Sequence, residues 1–156
     1  MSFSFSARNT SIIIVMSEFN RPIIENLLQG ALDAFIQHGG IQSDVHIYRV
    51  PGAFEIPGTI VQITKNQSPD AIVALGAVIR GETPHFDFIA GESARGIAEI
   101  SRSLDIPVIN GILTTDTAQQ AVDRSQAGGN NKGWDAMEAA LQTISVYQSM
   151  HTASQC

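Results

Sequence analysis

A polar segment interrupts the most apolar part of this chain, and its residue types could do chemistry. Residues 74–88 read ALGAVIRGETPHFDF, so the apolar run ends at Arg80 and resumes only after His85. Gly81 would let the backbone turn sharply and approach a ligand closely. The free N–H groups of a helix beginning near Thr83 would favour a phosphate. We interpret the segment as a cradle for an anion.

His85 is the candidate for proton transfer within this segment. We expect Thr83 to be the N-cap of the helix and Pro84 its first residue, which places His85 in the first turn. The positive end of a helix disfavours imidazolium and so favours a neutral ring that can accept a proton. A structural or solvated histidine, at a helix start without ligand, is the alternative at this position.

Strand and helix patterns alternate along the whole chain. Short apolar, β-branched runs are typical of strands buried in a parallel sheet, and apolar residues at helical spacing lie between them. The predicted strands cover 11–16, 44–50, 71–78 and 107–113, and the predicted helices cover 21–38, 54–64, 83–103, 117–124 and 132–149. Asn20 is the predicted N-cap of the first helix.

This alternation predicts an α/β fold, a flavodoxin-like three-layer αβα sandwich with a four-stranded parallel sheet. The length of 156 residues fits a single domain spanning 1–156. Residues 1–6, MSFSFS, alternate polar and aromatic types and are interpreted as an extra edge strand, on this chain or on a neighbouring subunit.

Ligands of open parallel sheets bind beyond the carboxyl ends of the strands. Polar residues beside glycine or aromatic residues follow three of the four predicted strands, at 17–20, 51–55 and 80–85. Taken singly, Phe19 and Phe54 are more typical of packing, Glu55 of a helix cap, and Arg124 and Lys132 of surface charge.

Composition narrows the classes of function. The formal net charge of -6 and the lack of a basic stripe argue against a nucleic-acid partner. The sole cysteine, Cys156, excludes an intramolecular disulfide and a metal site built on several thiolates, and no histidine has metal-ligating companions.

Neither a signal sequence nor a long apolar run occurs, which predicts a soluble, cytoplasmic protein with no membrane partner. Neither GxGxxG nor GxxxxGK[ST] occurs, which argues against a nucleotide-binding enzyme.

Five segments together resemble the 6,7-dimethyl-8-ribityllumazine synthase family over nearly the whole chain. They are Phe19-Asn20, VPGAFEIP at 50–57, ALGAVIRGETPHFDF at 74–88, GILTTDTAQQAVDR at 111–124 and NKGWDAMEAAL at 131–141. The resemblance implies a cofactor-independent condensation of 5-amino-6-ribitylamino-2,4(1H,3H)-pyrimidinedione with 3,4-dihydroxy-2-butanone 4-phosphate, without a metal. It also implies a homo-oligomer built from pentamers, with riboflavin synthase as a further partner.

The resemblance assigns a role to each candidate residue. Phe19 would stack on the pyrimidine, while Asn20 and Glu55 would hold the ribityl hydroxyls. Backbone groups of four residues would contact the pyrimidine edge: Ala53, Phe54, Val78 and Ile79.

The butanone phosphate has its own set of implied contacts. Gly81, Glu82 and Thr83 would present donors to it, and His85 would move protons. Arg124 would bind the phosphate from the adjacent subunit, in a segment that extends to Lys132.

Two positions depart from the family pattern. Asn110 in VINGILTT stands where many relatives have an aromatic residue, so its contact to the pyrimidine would be polar or absent. Gly128 in QAGGNNKG replaces a common lysine, which leaves Lys132 as the added positive charge. Two rival hypotheses remain open, a non-catalytic flavin- or lumazine-binding paralogue and a structural shell protein.

Overall fold

The computed structural model describes residues 5–154, in which strands and helices alternate as the sequence predicts. The strands are β1 (Ile12–Ser17), β2 (Val45–Val50), β3 (Ala71–Ile79) and β4 (Val108–Thr115). The α-helices are α1 (Arg21–Gln37), α2 (Ile56–Thr64), α3 (His85–Ser103), α4 (Ala118–Asp123) and α5 (Lys132–Ser154). A short 3₁₀ turn, Ala53–Glu55, precedes α2.

The four strands form one parallel sheet in the order β2-β1-β3-β4. Apolar side chains of β1 alternate between the two faces of the sheet. Ile12, Ile14 and Met16 belong to the core under α1 and α5, whereas Ile13 and Val15 belong to the core under α2 and α3. The predicted flavodoxin-like α/β fold with three layers is therefore confirmed.

Small residues allow α1 and α5 to pack closely. A Cβ added to Gly133 would overlap the carbonyl oxygen of Leu27, and one added to Gly30 would overlap the side chain of Asn131. Asn131 is buried, and its Nδ2 donates to the carbonyl of Asn26 over 3.0 Å. The segment before α5 is thereby fixed against α1.

Gly133→Ala is expected to destabilise the protein by about 1–3 kcal/mol, since the obstructing atom belongs to the backbone of α1 and cannot rotate away. Gly91→Ala is the matched control, because a Cβ on Gly91 would meet no atom within 4 Å. It should be neutral or stabilising by up to about 1 kcal/mol through helix propensity. Thermal unfolding of both variants measures the difference, and equal stabilities would contradict this description of the α1–α5 contact.

One helix start differs from the predictions. Asn20 is the N-cap of α1 as predicted, although its backbone is left-handed (φ 62°, ψ 50°) and its side chain makes no capping hydrogen bond. Thr83 is not the N-cap of α3, because the helix begins at His85 and Pro84 is the flanking residue. The ψ of Pro84 is 1°, outside the helical region, so the first helical residue shifts by one.

Other element boundaries agree within a few residues. The predicted helix at 54–64 begins instead as the 3₁₀ turn, with Pro57 near the start of α2. The predicted N-terminal edge strand falls mainly on residues 1–4, outside the described range, and Phe5 and Ser6 are not in a strand. Within residues 5–154, no helix has the length and apolarity needed to span a membrane.

Candidate active site

A cavity of about 500 Å³ lies at the carboxyl ends of β1, β2 and β3. It brings together eight predicted site residues: Phe19, Asn20, Ala53, Phe54, Glu55, Val78, Ile79 and His85. Its other lining residues, which sequence reasoning missed, are Gly52, Ala77 and Ile89. Gly52 and Ala77 are next to predicted site residues in the sequence, and Ile89 lies one helical turn after His85. Sequence adjacency and helical spacing could therefore have identified these three lining residues.

The unequal lengths of β1 and β3 open this cavity. β1 ends at Ser17, whereas β3 continues to Ile79, so its last residues have no β1 partner. Successive residues of a strand direct their backbone groups alternately to the two neighbouring strands. The N–H of Arg80 donates to the carbonyl of Thr115, the last residue of β4, so the backbone of Ile79 is directed to the side where β1 has ended.

Val78 therefore contributes its side chain to the cavity, whereas a contact from its backbone was predicted. By the same alternation its backbone groups are directed to β4, with Thr114 as its register partner. Its partly buried side chain packs on the core under α2 and α3 and lines the cavity. The predicted backbone contact to a ligand is thus available from Ile79 and not from Val78.

Asn20 is held in a rarely populated conformation at the cavity edge. Its Nδ2 donates to the carbonyl of Ala77 over 3.3 Å, which joins the loop after β1 to the free edge of β3. A left-handed backbone at a residue other than glycine costs free energy that the surrounding structure must offset. Such strain is concentrated at functional sites.

Two aromatic rings are exposed at the cavity, which excludes the alternative that they pack in the core. The exposed fraction is 70% for Phe19 and 57% for Phe54. A Cβ added to Gly52 would lie 3.7 Å from the Phe19 ring, which places that ring beside the 3₁₀ turn. Both rings are available to a planar ligand.

Glu55 acts as a cap and also lines the cavity. Its Oε2 accepts a hydrogen bond from the N–H of Gly52 over 3.0 Å, as the capping alternative predicts. This bond occupies one carboxylate oxygen and fixes the group at the cavity wall. The other oxygen, Oε1, can still accept a hydrogen bond from a ligand hydroxyl.

The segment between β3 and α3 is exposed. Gly81, Glu82 and Thr83 are all exposed and do not line the cavity, whose lining residues on α3 are His85 and Ile89. The φ of Gly81 is not left-handed, so the backbone there does not itself require glycine. A Cβ there would meet no atom within 4 Å, so the space beside it is open to a ligand.

Arg80, in the same segment, is paired with acidic residues. The hydrogen bond to Asp116 raises the pKa of Arg80 above its already high ordinary value, and the charges of Asp87 and Asp116 add to this shift. The guanidinium is therefore a permanent cation beside the start of α3.

The remaining predicted residues lie outside the cavity of their own chain. Arg124 follows α4 and Lys132 begins α5, and the backbone N–H of Lys132 donates to the carbonyl of Arg124 over 2.8 Å. Both residues are exposed. Asn110 is exposed on the edge strand β4, where its Oδ1 accepts from the N–H of Ile112 over 3.0 Å.

Metal-ligating groups are dispersed in the described part of the chain. No three His, Cys, Asp or Glu side chains among residues 5–154 are arranged to hold a metal ion.

Comparison with known proteins identifies relatives along almost the whole chain. A family model described as 6,7-dimethyl-8-ribityllumazine synthase matches residues 9–148. Proteins named 6,7-dimethyl-8-ribityllumazine synthase from Chloroherpeton thalassium and Chlorobium limicola are each 42% identical, covering 94% and 93% of this chain and 95% and 94% of their own. One from Nautilia profundicola is 44% identical over 91% of this chain and 92% of its own.

Proposed function

Because this chain belongs to the 6,7-dimethyl-8-ribityllumazine synthase family, we propose that its strand-end cavity binds the two substrates of that reaction. The chain is a transferase of riboflavin biosynthesis, which condenses 5-amino-6-ribitylamino-2,4(1H,3H)-pyrimidinedione with 3,4-dihydroxy-2-butanone 4-phosphate. The products are 6,7-dimethyl-8-ribityllumazine, phosphate and water. We propose that residues 1–156 act as one domain.

One observation carries the assignment of the site. Residues from three separate strand ends converge on one cavity, and they include rings, a carboxylate, an amide and an imidazole. In the proposed arrangement Phe19 stacks on the pyrimidine, while Asn20 and Glu55 bind the ribityl hydroxyls. The backbones of Ala53, Phe54 and Ile79 contact the ring edge, and the side chain of Val78 supports it.

The phosphate is placed at the exposed start of α3. Gly81, Glu82 and Thr83 surround open space there, and the N-terminal end of a helix favours an anion. The substrate amine attacks the ketone carbon, and water leaves as the imine forms. His85 accepts a proton from the amine and returns it to the leaving oxygen, before phosphate is lost. The protein supplies orientation and proton transfer, since the nucleophile and leaving group belong to the substrates.

The site is completed by an adjacent subunit in a pentameric ring. Arg124 and Lys132 do not line the cavity of their own chain, yet both are exposed cationic residues whose backbones are joined by a hydrogen bond, and an arginine fork suits a phosphate. Asn110 lies on the edge strand β4 and is assigned to the same surface, which faces the adjacent subunit. There it would make a polar contact to the pyrimidine. The account predicts at least a pentamer by sedimentation, and association with riboflavin synthase remains a further prediction.

Phe19→Ala is expected to raise the KM for the aminopyrimidine by about 5- to 100-fold, because stacking on an aromatic ring is worth about 1–3 kcal/mol. The ring is largely exposed, so its removal should leave the fold intact. Phe19→Tyr keeps a stacking surface and should retain a KM near the wild-type value. Steady-state kinetics with each substrate varied in turn test this, and an unchanged KM in Phe19→Ala would remove the ring from the site.

The function itself is tested by mixing purified protein with both substrates and following lumazine absorbance and fluorescence. Enzyme-dependent product above the slow spontaneous condensation is the expected result. Absence of product, with tight lumazine or flavin binding retained, would instead support the binding paralogue.

A further inference from the structure

Arg80 connects three parts of the strand-end region that are distant in sequence. Its backbone N–H donates to the carbonyl of Thr115 over 2.9 Å, and its Nε donates to Oδ1 of Asp116 over 2.8 Å. Its Nη1 lies 3.4 Å from Oδ1 of Asp87, and its guanidinium carbon lies 4.5 Å from the centroid of the Phe86 ring. One side chain therefore joins the end of β3 and the loop after β4 to the first turn of α3.

The residues that Arg80 contacts on α3 directly follow His85. No side chain caps this helix, and Pro84 before it is exposed. The first turn of α3 also has little burial, so core packing does not fix it strongly. The lateral contacts of Arg80 with Phe86 and Asp87 are then what orient the turn that carries the imidazole.

Arg80 also sets the local charge. Asp87 and Asp116 both lie against its guanidinium, which partly offsets their two negative charges at the end of the sheet. Without this cation, the two carboxylates would repel a phosphate placed at the start of α3. The aminopyrimidine is uncharged in the region that stacks on Phe19, so its binding would not respond in the same way.

We propose that Arg80 is a positioning residue for the condensation, holding the first turn of α3 so that His85 and the phosphate meet in a productive geometry. It acts through the imidazole and through the paired carboxylates, without contacting the substrates. This inference rests on the proposed function of the cavity and of His85.

Arg80→Ala is expected to lower kcat by about 10- to 100-fold, because small displacements of a reacting group cost that much. It should also raise the KM for the butanone phosphate several-fold while the KM for the aminopyrimidine stays near the wild-type value. Arg80→Lys keeps the charge but loses the planar fork, so it should restore the KM and only part of kcat. Arg102→Ala removes the same charge from the far end of α3 and should match the wild-type enzyme.

A double-mutant cycle with His85→Ala tests whether Arg80 affects kcat through His85 or independently of it. If Arg80 acts through His85, adding Arg80→Ala to His85→Ala should change kcat by less than about 3-fold. An equal fractional loss of kcat in both backgrounds, or an Arg80→Ala enzyme with wild-type constants, would overturn the inference. Should Arg80→Ala fail to assemble, the nearly isosteric Asp116→Asn carries the same test, with an expected fall in kcat of about 3- to 10-fold.

Failure of this inference is distinguishable from failure of the proposed function. A wild-type enzyme that makes no lumazine contradicts the function. An active wild type slowed by His85→Ala, but not by Arg80→Ala or Asp116→Asn, contradicts only the role of Arg80.

Discussion

Replacing His85 by alanine is expected to lower kcat by about 10²- to 10⁴-fold, the usual contribution of a well-placed general base. The residual rate should remain above the spontaneous reaction, because the cavity still orients both substrates. Lumazine formation at saturating concentrations of both substrates measures this loss.

Two controls accompany this prediction. Added imidazole should restore part of the activity of His85→Ala, since a small base can occupy the space that the side chain leaves. His46→Ala removes an exposed histidine of the edge strand β2 and should have no effect. A His85→Ala enzyme with wild-type turnover would exclude His85 from the mechanism.

Arg124→Ala is expected to lower kcat/KM for the butanone phosphate by about 10²- to 10³-fold. Hydrogen bonds to charged groups contribute about 1.5–3 kcal/mol each, and a guanidinium can make two to one phosphate. The KM for the aminopyrimidine should change little, and Arg124→Lys should retain an intermediate activity because it keeps the charge without the fork.

Sedimentation of Arg124→Ala provides the control for assembly. Among residues 5–154, the guanidinium donates only to the carbonyl of Gln120, over 3.0 Å, so its loss should leave the assembly intact. Equal losses of kcat/KM for both substrates would contradict a specific phosphate contact. The matching change Lys132→Ala should have a smaller effect, because an ammonium makes no planar two-point contact.

The sheet could be predicted from sequence because burial on both faces makes parallel strands continuously apolar. β1 and β3 are buried along almost their whole length, and both were located within one residue. The start of α1 after Asn20 was predicted correctly, but the side chain of Asn20 donates to Ala77 across the sheet instead of capping the helix. The start of α3 was predicted one residue too early, because the conformation of Pro84 lies outside the helical region.

The site was predictable where its residues follow directly from strand ends. The direction of the Val78 backbone could not be predicted, because it depends on the register between β3 and β4. The pairing of Arg80 with Asp116 joins residues 36 apart in sequence, and no local pattern indicates it. The proposed completion of the site by a second subunit rests on family resemblance alone, since the residues of one chain do not specify which neighbour they face.

Sharing of the site between subunits is the central claim, and mixed oligomers test it most directly. His85→Ala and Arg124→Ala chains, each nearly inactive alone, would be refolded together at equal concentrations. In a ring with head-to-tail contacts, about a quarter of the sites would combine an intact His85 with an intact Arg124 from the adjacent chain. The account predicts recovery to about a quarter of wild-type activity; a mixture no more active than its two parents would contradict the shared site.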